Sequence, residues 1–193
     1  SYANGIDLHT RTASEIFGIS MNDVTKNHRN AAKAINFGLA YGLSKFGLAR
    51  RLKISELEAD EMIGNYFARY KGIKRFLDAS ARNAVVNRCS RPVRGRKRYY
   101  ALPDYSHPEF KRAKASVERE GKNAPIQGAN ADTIKEAMII LVERLSGYDA
   151  KLLLTVHDEV VVEAREDQAV EVSKVVAQSL IDGFGRYFSL IPM

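Results

Sequence analysis

Residues 152–164 read LLLTVHDEVVVEA, a histidine and two adjacent carboxylates set between two runs of branched apolar side chains. Leu152 to Val156 and Val160 to Val162 have strong strand character, and the three residues between them, His157, Asp158 and Glu159, include no Gly or Asn to ease a tight turn. A β-hairpin is therefore expected, with a tip selected for chemistry rather than for turn formation. Adjacent carboxylates repel one another, and apolar flanks strip their hydration, at a cost on the order of several kcal/mol per buried ion. A divalent cation relieves both. Mg²⁺ prefers hard oxygen ligands, keeps part of its water and typically uses one or two protein carboxylates together with substrate phosphates, so a pair at a hairpin tip suits it. An exposed acidic turn is the plain alternative for the same three residues.

Working outward, the hairpin is embedded in helical sequence. The chain is mostly helical up to about residue 85; Ser55 to Glu58 form a capping-box start, followed at helical spacing by Leu57, Met62, Ile63, Tyr66 and Phe67. A second amphipathic stretch covers about residues 72–86, and SRPVRGRKRYYALP reads as two short extended runs about Gly95. PEFKRAKASVERE and NADTIKEAMIILVERLSG are helical, with Pro125 arguing against regular helix between them, and a last helix is expected at about 167–183. Helices with one small antiparallel sheet place the chain in the α+β class.

Composition limits the possible roles. The 193 residues, 45% hydrophobic, suffice for a real core, and no apolar run of membrane-spanning length or secretory leader is present, which points to an intracellular protein with no membrane partner. The lone Cys89 can form no internal disulfide and belongs to no zinc-ligand spacing. The net charge of +7 is local: residues 82–122 carry 12 basic and 4 acidic side chains, whereas residues 123–193 carry 6 and 11. The densest part interleaves Arg88, Arg91, Arg94, Arg96, Lys97 and Arg98 with Tyr99, Tyr100 and Tyr105. Such a mixture suits a surface that follows phosphates, and also occurs in ordinary solvated loops.

A second stretch, RNAAKAINFGLAYG at residues 29–42, repeats Arg29, Lys33, Phe37 and Tyr41 every four residues, one slanting stripe on a helix. Between Asp23 and Glu56 there is no acid, so the two cations lack partners within the helix and are free for an anion. Arg29 and Lys33 could hold a triphosphate while Phe37 and Tyr41 pack against a base or sugar; an amphipathic helix with core aromatics is the bland reading. Gly38 and Gly42 each cost about 1 kcal/mol in a helix interior, which favours close approach of a ligand or another backbone.

RNAAKAINFGLAYG resembles motif B of the family A DNA polymerases, the bacterial DNA polymerase I-like group, and LLLTVHDEVVVEA resembles their motif C. DLHTRTASEIFG, residues 7–18, is similar to the segment after motif A, and EREGKNAPIQGANADTIKEAM, residues 118–138, resembles the helix that reads the template-primer minor groove. Four motifs in the family's order span nearly the whole chain.

The resemblance implies a fingers subdomain over 1–117 and part of a palm over 118–193. It implies template-directed DNA synthesis in replication or repair, in which deoxynucleotides are transferred to a primer 3′-OH with two Mg²⁺ ions. The implied partners are primer-template DNA and a dNTP. Arg29 and Lys33 would meet the triphosphate, Phe37 would stack on the base and sugar, Tyr41 would sit at the templating position, and His9 would contact the triphosphate. Asp158 matches the metal-binding aspartate, Glu159 its acidic neighbour and His157 a residue near the primer terminus. Arg119, Asn123 and Gln127 match positions on the duplex, and their i, i+4, i+8 spacing gives one polar face if the helix holds. Arg96 and Arg98, from the basic segment, are assigned to DNA.

The family's second metal-binding carboxylate lies upstream of the segment matching residues 7–18, and the thumb and exonuclease regions have no counterpart here. The chain is therefore expected to be part of a longer polymerase, to need the missing N-terminal regions for activity, to be inactive alone and to act as a monomer in the bacterial cytoplasm, a phage-infected cell or an organelle. Two alternatives stand beside this one. A single-subunit RNA polymerase has a related helix, although its motif C tends to lack the glutamate and its motif B differs around INFG; a noncatalytic nucleic-acid-binding remnant would keep the surface and lose the chemistry.

Overall fold

The computed structural model describes residues 5–157 and 159–189. Asp158, the expected metal ligand, lies outside the described residues. In chain order the elements are α1 (Leu8–Phe17), a 3-10 turn (Met21–Asp23), α2 (Lys26–Ala40), α3 (Lys45–Leu52), α4 (Glu56–Arg69), α5 (Lys71–Val86), β1 (Cys89–Ser90), β2 (Arg98–Tyr99), α6 (Phe110–Leu145), β3 (Ala150–Val156), β4 (Glu159–Ala164), a second 3-10 turn (Glu166–Gln168) and α7 (Ala169–Gly185). Helices predominate, and the described strands form two antiparallel pairs, β1 with β2 and β3 with β4. This is the α+β class expected from the sequence. None of the described helices is long and apolar enough to cross a membrane.

The chain divides into two compact units, Ser1–Ile126 and Gln127–Met193. In the first, local signals set the helix ends. Asp7 caps α1 by accepting from the Thr10 amide at 2.8 Å, and the Ser55 hydroxyl and Glu58 carboxylate satisfy each other's backbone amides at the start of α4. The apolar sides of α1 to α4 then meet around Ile16, Ile35, Leu39, Leu48, Ala59 and Tyr66. A smaller core joins Ala84 of α5 to Tyr100, Leu102 and Val117. Gly121 lets α6 approach α5 closely, because a Cβ there would lie 2.4 Å from the Cβ of Ala84.

The second unit is built on the β3–β4 hairpin. Leu152 pairs with Val162 and Ala150 with Ala164, and these four pack with Leu141 and Leu145 of α6 and Val172 of α7. Gly183 of α7 meets α6 at Ala137, whose backbone nitrogen would be 2.6 Å from a Cβ at that glycine.

Three expectations are corrected. First, Pro125 does not interrupt the helix: α6 runs unbroken from Phe110 to Leu145. A proline in a helix interior costs about 3 kcal/mol. Buried side chains on both sides offset it, Val117 and Ala124 before and Ala137, Leu141 and Leu145 after. Second, the hairpin tip is shorter than three residues, since Glu159 already belongs to β4 and pairs with Val156. His157, next along the chain from Val156, takes the left-handed conformation, at φ 57°. Third, α2 ends at Ala40, with Tyr41 as its C-cap, so Gly42 is not in the helix interior. Gly42 sits beyond the cap at φ +73°, where a left-handed backbone favours glycine.

Candidate functional site

Helix α2 begins at Thr25, whose hydroxyl accepts from the His28 amide at 3.3 Å. Ala32, Ala34, Ile35, Gly38 and Leu39 are its buried residues, Ile35 and Leu39 within the first core, and Lys33 and Phe37 stand on the opposite, exposed side. Lys33 is exposed and forms no ion pair with the described residues. Phe37 and Tyr41 are 48% and 54% exposed, so neither is a core aromatic. The Phe37 ring lies 5.4 Å from the ring of His9, which α1 delivers to the same face.

Arg29 is not free, contrary to the expectation from its own helix. Its Nε and Nη2 donate to the two carboxylate oxygens of Asp7 at 3.0 and 2.9 Å. The partner comes from the cap of α1, 22 residues upstream. Those bonds and the ones from Thr10 hold the Asp7 carboxyl well below the usual carboxylate range. A guanidinium has five N–H donors, so Arg29 keeps three for a second anion. Because the folded-state value is depressed, the stabilisation from Asp7 is complete above about pH 3.9 and is lost only as the pH falls towards the lower folded value. At neutral pH Asp7 competes with any phosphate for Arg29. Asp7→Asn, which caps α1 equally well, is expected to tighten binding of a nucleoside triphosphate by roughly two- to fivefold, the modest effect of removing one exposed competing charge. Titration calorimetry with dATP checks this, and weaker binding would contradict it.

His9 is half-buried. Burial pushes its imidazole below its ordinary value, Asp7 pulls it up, and Arg29 and Lys33 push it down. Its neighbour Asn36 escaped the sequence analysis. The available signal was an amide in the middle of an amphipathic helix, adjacent to buried Ile35, where an unpaired polar group is costly.

Arg119 of α6 lies beside the end of α2, its Cα 3.2 Å from where a Cβ on Gly42 would stand. Asn123 follows one turn later, and its Oδ1 is buried with no hydrogen-bond partner among the described residues. Gln127, one further turn along, is exposed. In the basic segment Arg98 donates to Glu120 at 2.5 Å and lies 5.6 Å from the centre of the Tyr100 ring, so part of its charge is already matched. Arg96 is exposed in the loop between β1 and β2.

At the hairpin, His157 and Glu159 are both exposed. The expected loss of hydration between apolar strands therefore does not hold for Glu159. Its apolar neighbours Leu154, Val156 and Val161 are themselves 39–50% exposed, and they leave the carboxylate in solvent. What remains is an oxygen donor open to water beside a turn residue in a conformation costing about 1–3 kcal/mol, a strain that concentrates at functional positions. Among the described residues there is no group of three or more His, Cys, Asp or Glu side chains that could hold a metal.

The model of DNA polymerase family A matches residues 1–184. The chain is 41% identical over 180 residues to DNA polymerase I of Geobacillus stearothermophilus, covering 92% of this chain and 20% of that protein. It is 43% identical over 183 residues to DNA polymerase I of Streptococcus pneumoniae TIGR4, covering 93% of this chain and 20% of the relative. The chain thus spans about a fifth of the length of these relatives. Among solved structures it is similar to the POL domain of Pol1 from M. smegmatis in complex with DNA primer-template and dNTP. That likeness has a TM-score of 0.83 and 37% identity, over 93% of this chain and 32% of that one. With the match running from before α1 into the last turn of α7, the chain belongs to DNA polymerase family A.

Proposed function

We propose that this chain supplies the nucleotide-binding helix and an acidic metal-binding hairpin of a template-directed DNA polymerase that transfers deoxynucleotides to a primer 3′-OH. The observation that carries the reading is the exposed face of α2, where Lys33, unpaired among the described residues, and solvent-facing Phe37 and Tyr41 share one stripe with Arg29 and, from α1, His9. Residues 1–117 act as fingers and 118–193 as part of the palm.

Lys33 and Arg29 neutralise the triphosphate, Lys33 as a compact point charge and Arg29 through the donors that Asp7 leaves. His9 adds an N–H donor. Phe37 stacks on the incoming base and sugar, and Tyr41 stands at the templating position. Arg119, Asn123 and Gln127 line the duplex near the primer terminus with His157, and Arg96 and Arg98 follow phosphates. Asp158 is the metal carboxylate and Glu159 its acidic neighbour. Glu159's exposed oxygens suit Mg²⁺, which accepts few protein ligands and completes its shell with water and substrate phosphates. When bound, two Mg²⁺ ions would stabilise the attacking 3′ oxygen and the leaving pyrophosphate. The protein's remaining task is position and charge.

The test is a hybrid in which this chain replaces the matching segment of the G. stearothermophilus DNA polymerase I. The hybrid is expected to extend a DNA primer with dNTPs and Mg²⁺. Extension with ribonucleotides alone would instead favour RNA synthesis. A hybrid that binds primer-template with unchanged affinity yet extends nothing would mark the chain as a binding module.

A further inference from the structure

We infer that Asn36 is a positioning residue that holds His9 in the tautomer with its proton on Nε2, so that His9 offers a neutral N–H donor to a phosphate oxygen. The inference rests on the reading of His9 as a triphosphate contact. It follows from a chain of hydrogen bonds whose directions can be worked out one at a time.

The Thr12 hydroxyl is 2.8 Å from the Leu8 carbonyl oxygen, which can only accept, so the single hydroxyl proton of Thr12 is spent there. The Tyr70 hydroxyl, 3.5 Å from Thr12 Oγ1, gives its own proton to Glu15 Oε2, so Thr12 Oγ1 has only lone pairs for the Asn36 side chain, 3.1 Å away. The amide nitrogen of Asn36 must be the atom facing Thr12, because a carbonyl oxygen in that place would set two acceptors against each other. The same nitrogen lies 3.1 Å from His9 Nδ1 and has a second hydrogen to give. Nδ1 must therefore accept and cannot carry a proton. In a neutral imidazole that leaves the proton on Nε2, which has no hydrogen-bond partner among the described residues.

Two consequences separate this from a merely structural amide. Protonating His9 would place an N–H at Nδ1 against the N–H of Asn36, and turning the amide over would break its bond to Thr12. The relay thus opposes the imidazolium, in the same direction as burial, Arg29 and Lys33 and against Asp7. The face of α2 then combines two fixed cations with one neutral donor, whose hydrogen bond does not switch with pH above His9's titration range. Asn36 itself touches no substrate; it acts through His9.

Long-range ¹H–¹⁵N correlation spectra of the 193-residue chain read the tautomer directly, with the His9 ring assigned by its loss in His9→Gln. At about pH 7.5, Nδ1 is expected to resonate as an unprotonated nitrogen and Nε2 as a protonated one. A proton on Nδ1 in the unmodified chain overturns the inference without any variant having to fold. Asn36→Asp, of the same size, presents only acceptors. It is expected to move the proton to Nδ1 and to raise the His9 titration midpoint by about one to three pH units, the usual effect of an opposite charge at this range. A ring pattern and midpoint unchanged in Asn36→Asp would overturn the positioning role. Adding dATP should then shift the Nε2–H signal. If the tautomer is as stated but that signal does not move, the relay stands and the triphosphate reading of His9 falls.

Discussion

Asp158→Ala, placed in the hybrid polymerase, is expected to lower the rate of primer extension at least about a thousandfold while leaving primer-template binding within about threefold. A bound metal ion stabilises transition-state charge by several kcal/mol, and each 1.36 kcal/mol is a factor of about ten in rate. Removing its principal ligand should therefore cost about three decades or more. Duplex binding depends on phosphate and groove contacts from other residues, so it should change little. Glu159→Ala should cost less, because Glu159 starts β4, and its exposed side chain is the neighbour of the family's metal aspartate rather than its match. Single-turnover kinetics at saturating dNTP separate the chemical step from binding. Activity of Asp158→Ala within a few fold of the unmodified hybrid would remove the metal role.

Lys33→Ala is the second large effect. Lys33 is exposed and unpaired among the described residues, so its removal leaves no buried charge behind and the fold should hold, with a change in stability within about 0.5 kcal/mol. Against a triphosphate the loss is of another size. Deleting one preorganised electrostatic donor typically costs about 100- to 1000-fold in turnover, so kcat/KM for dNTP should fall by roughly that factor. Arg29→Ala should behave differently, because it releases Asp7 as well as removing a cation. Part of its effect should be recovered in Asp7→Asn/Arg29→Ala, whereas Asp7→Asn should do nothing for Lys33→Ala beyond its own gain. Steady-state kinetics on the three single and two double variants distinguish these outcomes. Equal losses for Lys33→Ala and for a distant exposed cation such as Arg50 would mean that only general charge matters.

What could be read in advance was whatever depends on neighbours in sequence. The Ser55 capping box, the stripe on α2 and the apolar runs of the hairpin are local patterns, and the structure contains each of them. Most of the failures involve partners brought from elsewhere. Arg29 has no acid within reach on its own helix, while its carboxylate sits on the cap of α1. Pro125 looked like a break because its local cost is visible in the sequence and the offsetting burial of Ala124 and Leu141 is not. The tip is shorter than the three residues read in the sequence because Glu159 already pairs with Val156 across the hairpin, a pairing that residue types alone do not reveal. Asn36 passed unnoticed for the same reason as Asp7: its two acceptors, His9 and Thr12, lie on another helix.

The account depends on one face of α2 receiving the nucleotide. A crystal structure of the hybrid with primer-template, dNTP and Mg²⁺ tests it most directly. The Lys33 ammonium should stand within about 4 Å of a triphosphate oxygen, with the Phe37 ring against the base or sugar of the same nucleotide. A triphosphate bound elsewhere, with Lys33 still pointing into solvent, would contradict it.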